Sequence, residues 1–146
     1  MSEPEAALEL EGLEVAYRGV PAVRGIDLTV GRGEIVGLVG PNGAGKSSTL
    51  HAIMGAAPSP RGDVRLYGRS LRGLSPERVA RLGVALVPEG RHIYSSLTVE
   101  ENLRLGYAAR RSREGLDEDV AWVHALFPVV HEFESRNAGA LSGGQQ

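Results

Sequence analysis

The feature that most constrains the fold of this chain is a glycine-rich segment, residues 40–47, which matches the pattern G-x-x-x-x-G-K-[ST]. Residues 35–39 before it form a short apolar run, and residues 46–54 after it have helical spacing. A buried strand, a tight turn and a helix in this order bring backbone N–H groups together at a helix N-terminus, where they bind phosphate oxygens. The sequence therefore predicts a phosphate-binding loop, and the alternative is a tight turn without a ligand.

The positions of this loop have separate chemical tasks. Its glycines let the backbone approach the phosphates, Lys46 places a positive charge at the β and γ phosphates, and Ser47 offers a hydroxyl ligand to Mg²⁺. Loops of this kind occur in kinases, GTPases and many ATPases, so the motif predicts a nucleotide but no particular reaction. The predicted nucleotide-binding residues of the loop are Gly40, Pro41, Asn42, Gly43, Ala44, Gly45, Lys46, Ser47 and Ser48.

Hydrophobic patterning places this loop in an α/β chain. A helix is predicted from Ser75 to about residue 82, and Thr98 with Glu101 matches a helix capping box. The other predicted elements are strands at residues 8–17, 23–30, 62–67 and 84–87, one or two amphipathic helices at 120–133 interrupted at Pro128, and a solvated connection at 110–119. Residues 35–39 and 84–87 are apolar throughout, which predicts strands covered on both faces.

Composition narrows the class of protein. A chain of 146 residues with 42% hydrophobic residues can bury one core, so we expect one domain. The net charge of −2 gives no field that attracts nucleic acid, and we expect no nucleic-acid partner. The absence of cysteine excludes disulfides and fits a reducing compartment. The first seven residues do not resemble a secretory signal, and we expect a soluble chain in the cytoplasm.

The last six residues resemble the signature sequence by which ATP-binding-cassette (ABC) domains are recognised. They are Leu141, Ser142, Gly143, Gly144, Gln145 and Gln146. The family more often has a Glu after the second Gly, which this chain lacks. Without the resemblance, the same residues would fit a glycine-rich loop capped by Ser142.

This resemblance implies an α/β fold, a P-loop NTPase of the ABC ATPase type. Such a domain has an antiparallel β subdomain, a parallel-sheet P-loop core and a helical subdomain. Residues 1–146 would be the N-terminal portion of one ABC transporter-type nucleotide-binding domain, ending in the signature motif with the C-terminal part missing. The implied cofactors are ATP and Mg²⁺. The signature residues are implied to bind the ATP of a second ABC ATPase subunit in a head-to-tail homo- or heterodimer.

Two further positions take their predicted roles from the resemblance. Tyr17 matches the aromatic residue that stacks on adenine, and the alternative is an ordinary strand aromatic. Glu89 stands where the family usually has the glutamine of its Q-loop. A carboxylate there is a possible Mg²⁺ ligand and would bind the metal more tightly than an amide, whereas the alternative is a solvent-facing loop residue.

Part of the sequence is similar to the ATP-binding subunits of branched-chain amino-acid importers. The similarity rests on Pro-Glu-Gly-Arg at residues 88–91 and on Leu-Thr-Val-Glu-Glu-Asn-Leu at residues 97–103. It implies an ATPase that couples ATP binding and hydrolysis to uptake of branched-chain amino acids. The implied partners are membrane permease subunits, and the implied location is the cytoplasmic face of the cell membrane.

Hydrolysis needs residues that this chain does not match. The family's Walker B aspartate, catalytic glutamate and switch histidine follow the signature sequence, so we predict that the chain alone has no catalytic residues and is inactive in hydrolysis. The four histidines, His51, His92, His124 and His131, are expected on the surface or on helix faces. Two alternatives remain open: a truncated, non-catalytic nucleotide binder, and a soluble ABC ATPase that acts on DNA or ribosomes.

Overall fold

A computed structural model describes residues 6–58, 60–107 and 114–146 of the chain. The chain forms two compact units, an N-terminal unit (Met1–Leu86) and a C-terminal unit (Val87–Gln146). The N-terminal unit contains β1 (Ala6–Tyr17), β2 (Val20–Gly31), α1 (Lys46–Ile53), β3 (Arg61–Leu66), β4 (Arg69–Ser70) and α2 (Pro76–Ala80). The C-terminal unit contains α3 (Val99–Tyr107), α4 (Leu116–Leu126), α5 (Pro128–Glu132) and a short 3-10 helix (Ala138–Ala140). The expected single domain stays a prediction, because two compact units can belong to one domain.

The N-terminal unit is built on a four-stranded antiparallel sheet with the strand order β2-β1-β3-β4. β1 and β2 are joined by the two-residue turn Arg18-Gly19, in which both residues have positive φ, as hairpin turns of type I′ require. The predicted strands at 8–17, 23–30 and 62–67 are confirmed. The strands at 8–17 and 23–30 alternate apolar and polar residues, and this pattern was enough to predict them.

A β-bulge explains why the apolar residues of β1 lie at even positions before Gly12 and at odd positions after it. Leu10 and Leu13 are both buried although they are three positions apart, which would place them on opposite faces of a regular strand, and the pairing with β2 shifts between them. Gly12 takes up the extra residue with a φ of +54°, and its N–H donates to Asp27 Oδ1 at 2.6 Å. The bulge keeps Leu10, Leu13 and Val15, each at most 2% exposed, on the core face.

The core of the N-terminal unit lies between this sheet and two helices. Ala52 and Ile53 of α1 and Val79 of α2 pack in the same cluster as the buried face of β1. Burying a Leu, Val or Ile side chain stabilises a fold by about 1.5–3 kcal/mol. The cluster therefore anchors the helix that follows the glycine-rich loop to the sheet.

Two predicted strands are wrong. Residues 35–39 and 84–87 have no strand hydrogen bonding among the described residues, and Ile35 and Val39 are 97% and 98% exposed. The parallel sheet expected around the loop is therefore not formed by the described residues. An apolar run shows which side chains a strand would bury. The strand itself forms only when a neighbouring strand supplies the partners for its backbone hydrogen bonds.

The C-terminal unit is mainly helical. The predicted capping box is confirmed: Thr98 N–H donates to Glu101 Oε2 at 2.8 Å, and Glu101 N–H donates to Thr98 Oγ1 at 3.1 Å. α4 and α5 lie on either side of Phe127 and confirm two helices interrupted near Pro128. The solvated connection predicted at 110–119 is wrong from Leu116 onward, because α4 begins there with an acidic first turn. Residues 110–113 of that prediction lie outside the described residues.

None of the helices in the described ranges is both long enough and apolar enough to cross a membrane.

Candidate nucleotide-binding site

The glycine-rich loop connects the exposed residues 35–39 to α1. Gly43 and Gly45 have φ angles of +83° and +93°, a region that residues with a Cβ rarely occupy. Gly45 also lies against β2, where an added Cβ would be 2.4 Å from the carbonyl oxygen of Ala22. The second glycine of the motif is therefore required by two independent constraints, its backbone angle and its contact with the sheet.

Lys46 is the only lysine in the chain, and it begins α1. Its Nζ donates to the carbonyl oxygens of Gly40 and Pro41, each at 2.8 Å. The ammonium group has three N–H donors, so one remains for a further acceptor. The loop thus holds a single positive charge beside its own backbone.

The N-terminal turn of α1 presents backbone donors next to this charge. Thr49 N–H is the first amide that bonds back to the loop, to Gly45 O at 2.9 Å, and Thr49 Oγ1 bonds to the same oxygen at 3.0 Å. The amides before it, in Lys46, Ser47 and Ser48, have no helical acceptor four residues back. This described turn contains no acidic side chain, and Ser47 is exposed. Amides, ammonium and helix dipole therefore all favour an anion here.

An open cavity of about 480 Å³ lies between the loop and β2. The cavity is lined by loop residues Gly43 to Lys46, by Thr49, by Leu38 and Val39, and by β2 residues that include Pro21 and Arg24. Arg24 adds a second cation that the sequence motifs did not indicate. The position of Arg24 beside the loop depends on the register of β2 and not on local sequence. Only knowledge of the β2 pairing could have predicted it.

Tyr17 is the last residue of β1 and is 39% exposed. It pairs with Val20 across the hairpin, next to Pro21 at the edge of the cavity. The residues that line the cavity do not include Tyr17 itself. Its predicted role in stacking on adenine stays a prediction.

Glu89 lies in the C-terminal unit on an exposed loop. The three residues after it, Gly90, Arg91 and His92, all have positive φ, which is uncommon for residues with a side chain. Arg91 reaches the end of the chain: its Nη1 donates to Gln146 Oε1 at 3.2 Å, and its guanidinium lies beside Gly143. The structure therefore brings the loop of Glu89 and the signature-like residues into contact within one unit.

The signature-like residues form a hydrogen-bonded turn. The carbonyl oxygen of Ser142 accepts from the N–H groups of Gln145 and Gln146 at 3.0 and 3.1 Å. The side chain of Gln145 reaches back, and its Oε1 accepts from Ser142 N–H at 2.9 Å, as the fourth residue of a capping box does. Gln and Glu both perform this task, so the missing Glu leaves the turn intact. Gly143 and Gly144 lie within this turn.

Known proteins resemble this chain in sequence and in fold. A family model described as "ABC transporter" matches residues 23–146, which is most of the chain. The chain belongs to the ABC transporter family. This confirms the resemblance found in the residues of the loop and of the signature.

Individual members of the ABC transporter family cover the same residues. The branched-chain amino acid transport ATP-binding protein BraG of Pseudomonas aeruginosa is 37% identical over 95% of this chain, which matches 59% of that protein. The hemin import ATP-binding protein HmuV of Streptomyces coelicolor is 38% identical over 92% of this chain, which matches 49% of that protein. The chain thus spans between half and three fifths of these two relatives.

A solved structure titled "Structure of ATP binding subunit of ABC transporter" superposes with a TM-score of 0.81 at 32% identity. It covers 94% of this chain, which corresponds to 57% of that structure. The ABC ATPase fold predicted from the sequence is confirmed by this likeness. The roles proposed for the individual site residues of the present chain stay predictions.

Proposed function

We propose that this chain is the N-terminal, nucleotide-binding portion of the ATP-binding subunit of an ABC importer. The observation that carries the proposal is the loop at residues 40–48, where the ammonium of Lys46 and the first amides of α1 converge. A triphosphate supplies the negative charge that such a site lacks. The adenine stacks on Tyr17, and the ribose and phosphates extend along the cavity between β2 and the loop.

Mg²⁺ enters the site with the triphosphate. The exposed hydroxyl of Ser47, next to Lys46 in the first turn of α1, suits a cation that prefers oxygen ligands and retains several waters. The ion would neutralise part of the negative charge of the phosphates. The metal-binding role that the family resemblance implies for Glu89 stays a prediction. Ser47 is the ligand on which we expect Mg²⁺ affinity to depend.

The chain alone binds ATP without hydrolysing it. Catalysis of phosphoryl transfer needs a group that orients the attacking water, and no residue of this chain matches the family's catalytic glutamate. Its exposed apolar residues 35–39 also support an incomplete nucleotide-binding domain. The truncated, non-catalytic binder is therefore the second candidate function.

The partners follow from the signature turn. Gly143 and Gly144 present amides that suit the γ-phosphate of an ATP held by a second ABC ATPase subunit, in a head-to-tail homo- or heterodimer. Membrane permease subunits complete the importer at the cytoplasmic face of the cell membrane. Branched-chain amino acids are the solutes we favour, because residues 88–91 and the similarity to BraG both support them. HmuV, which is as similar to this chain, is named for hemin import, so the permease is expected to choose the solute.

The test of the proposal is an equilibrium titration with a fluorescent ATP analogue and Mg²⁺. Wild-type chain is expected to bind saturably, and Lys46→Ala to bind at least about tenfold more weakly, since a hydrogen bond from a charged group contributes roughly 1.5–3 kcal/mol. Arg69→Ala, which removes an exposed cation of β4 away from the loop, is the matched control and keeps wild-type affinity.

Two results would contradict the proposal. Equal affinity of wild type and Lys46→Ala, with unchanged circular dichroism, would exclude the loop as the nucleotide site. Steady release of phosphate from ATP by the purified chain would leave the binding site in place but overturn the non-hydrolysing part of the proposal.

A further inference from the structure

We propose that the turn between α4 and α5 carries a site for a divalent transition-metal ion, with Zn²⁺ as its best-suited occupant. The ligands are His124, His131 and Glu134. Their candidate ligand atoms all lie within 4.8 Å of one another. This cluster is in the C-terminal unit, and the nucleotide site proposed above does not use it.

The local fold brings these three side chains together. α4 ends at Leu126, and Phe127 leaves the helical region with φ −130° and ψ 76° before Pro128 starts α5. This change of direction brings the imidazole ring of His124, from the last turn of α4, to 4.7 Å from the ring of His131, measured between ring centroids. Glu134 follows α5, and its Oε2 lies 3.3 Å from His131 Nδ1.

These distances fit a metal ion with small adjustments. Two ligands of a tetrahedral Zn²⁺, each bonded at about 2.0–2.1 Å, lie roughly 3.3 Å apart. The pair formed by His131 Nδ1 and Glu134 Oε2 already has this separation at 3.3 Å. Because no two candidate ligand atoms are more than 4.8 Å apart, the ligand atom of His124 needs to move closer by at most about 1.5 Å, which a small side-chain rotation achieves.

The donor set determines which ion binds. Two imidazole nitrogens and one carboxylate oxygen form a three-ligand set that Zn²⁺ accepts, with water in the fourth position. Mg²⁺ prefers oxygen ligands only, so the Mg²⁺ that accompanies ATP does not compete for this cluster. His124 and Glu134 are half-buried and the side chain of His131 is 66% exposed, so an ion can enter from solvent.

The simpler arrangement is an ion pair between protonated His131 and Glu134 beside a second histidine. That arrangement does not require His124, because the contact of 3.3 Å involves only the other two residues. A metal ion, in contrast, makes all three side chains necessary. Dependence of metal affinity on His124 is therefore the property that separates the two arrangements.

The test is a titration of the whole chain with ZnCl₂, without nucleotide, by isothermal calorimetry. Wild-type chain is expected to bind one Zn²⁺, and His124→Gln, His131→Gln and Glu134→Gln are each expected to bind at least about tenfold more weakly. His51→Gln removes an exposed histidine of α1 and serves as the matched control with unchanged affinity. Circular dichroism of each variant verifies that the helices are retained.

A second probe uses Trp122, the only tryptophan in the chain, which is 64% exposed and lies two residues before His124 on α4. Co²⁺ bound at the cluster is expected to quench its fluorescence saturably and to give the intense visible absorption of a four-coordinate ion. MgCl₂ at the same concentration should do neither. The proposal is overturned if no saturable Zn²⁺ binding occurs. It is also overturned if His124→Gln binds Zn²⁺ as tightly as wild type and as the control His51→Gln.

Discussion

At the scale of the residue, Gly45 determines whether the nucleotide loop can form. Its φ of +93° suits glycine, and the 2.4 Å gap between an added Cβ and Ala22 O leaves no space for a side chain. The same residue caps α1 and accepts two hydrogen bonds from Thr49. Any displacement of Gly45 therefore moves the amides of the first helical turn.

Gly45→Ala is expected to lower the free energy of unfolding of the N-terminal unit by about 1–3 kcal/mol and to weaken MgATP binding, because strain and the clash with Ala22 shift the loop. Urea denaturation and nucleotide titration measure both effects. Gly37→Ala is the matched control, since a Cβ at residue 37 meets nothing within 4 Å and its φ is not positive. Equal losses in the two variants would contradict this account of the loop.

Single residues differ in how far the sequence predicts them. The pattern of the loop constrains four positions, Gly40, Gly45, Lys46 and Ser47, so the sequence indicated the loop, while the roles of its residues stay predictions. Arg24 and the cluster of His124, His131 and Glu134 could not be predicted, because their neighbours are set by strand register and by the angle of the turn at Phe127. Local sequence does not specify either quantity.

At the scale of the element, hairpins and caps were predictable because their partners are close in sequence. β3 and β4 form a further hairpin through the turn Tyr67-Gly68, although β4 was not predicted, and Asp63 links its two strands. Asp63 Oδ1 accepts from Ser70 Oγ at 2.6 Å, and Asp63 Oδ2 accepts from Arg65 Nε at 2.9 Å. The hydrogen bond donated by Ser70, and then the hydrogen bond and the positive charge of Arg65, lower the pKa of the Asp63 carboxyl below its ordinary value of 3.8.

This pKa shift predicts how stability depends on pH. A carboxyl whose pKa is lower in the folded state stabilises the fold fully above its unfolded pKa, and the contribution is lost as pH falls through the folded pKa. Asp63→Asn is therefore expected to cost about 1 kcal/mol at pH 7 and progressively less below pH 4. Urea denaturation at both ends of this range measures the difference. A cost that is the same at pH 7 and at pH 2.5 would contradict the assignment.

Other elements failed because their partners are not local. Residues 35–39 have the composition of a central strand, but the described residues provide no strand that pairs with them. The capping box of α3 was predicted correctly because Thr98 and Glu101 are three residues apart, and each side chain accepts a hydrogen bond from the backbone N–H of the other. For these two elements, the outcome follows how far along the chain the hydrogen-bond partners lie.

At the scale of the whole molecule, the two units are packed to different degrees. The N-terminal unit has a continuous core that joins the sheet, α1 and α2. In the C-terminal unit, Val99 and Ala138 are the buried apolar residues among those described, and α4 and α5 have no fully buried residue. The least protected apolar surface of the N-terminal unit is at residues 35–39. Such a segment favours association between chains through unpaired backbone groups.

Ile35→Lys together with Val39→Lys is expected to reduce self-association without a loss of stability, because both side chains are almost fully exposed. Sedimentation velocity at several protein concentrations measures the association. Val20→Lys, at a 68% exposed position of the already paired strand β2, is the control and leaves association unchanged. A wild-type chain that stays monomeric and melts cooperatively at high temperature would show that these residues do not cause association.

The most direct test of a triphosphate bound at the loop uses Lys46, because it is the only lysine in the chain. An amine-reactive acylating reagent modifies Lys46 and the α-amino group, and mass spectrometry measures both rates with MgATP, with AMP or without nucleotide. At MgATP of 100 times Kd, modification of Lys46 should slow by about a hundredfold while the α-amino group reacts as before. AMP, which lacks the β and γ phosphates, should give little protection. Equal reactivity of Lys46 with and without saturating MgATP would contradict the central claim.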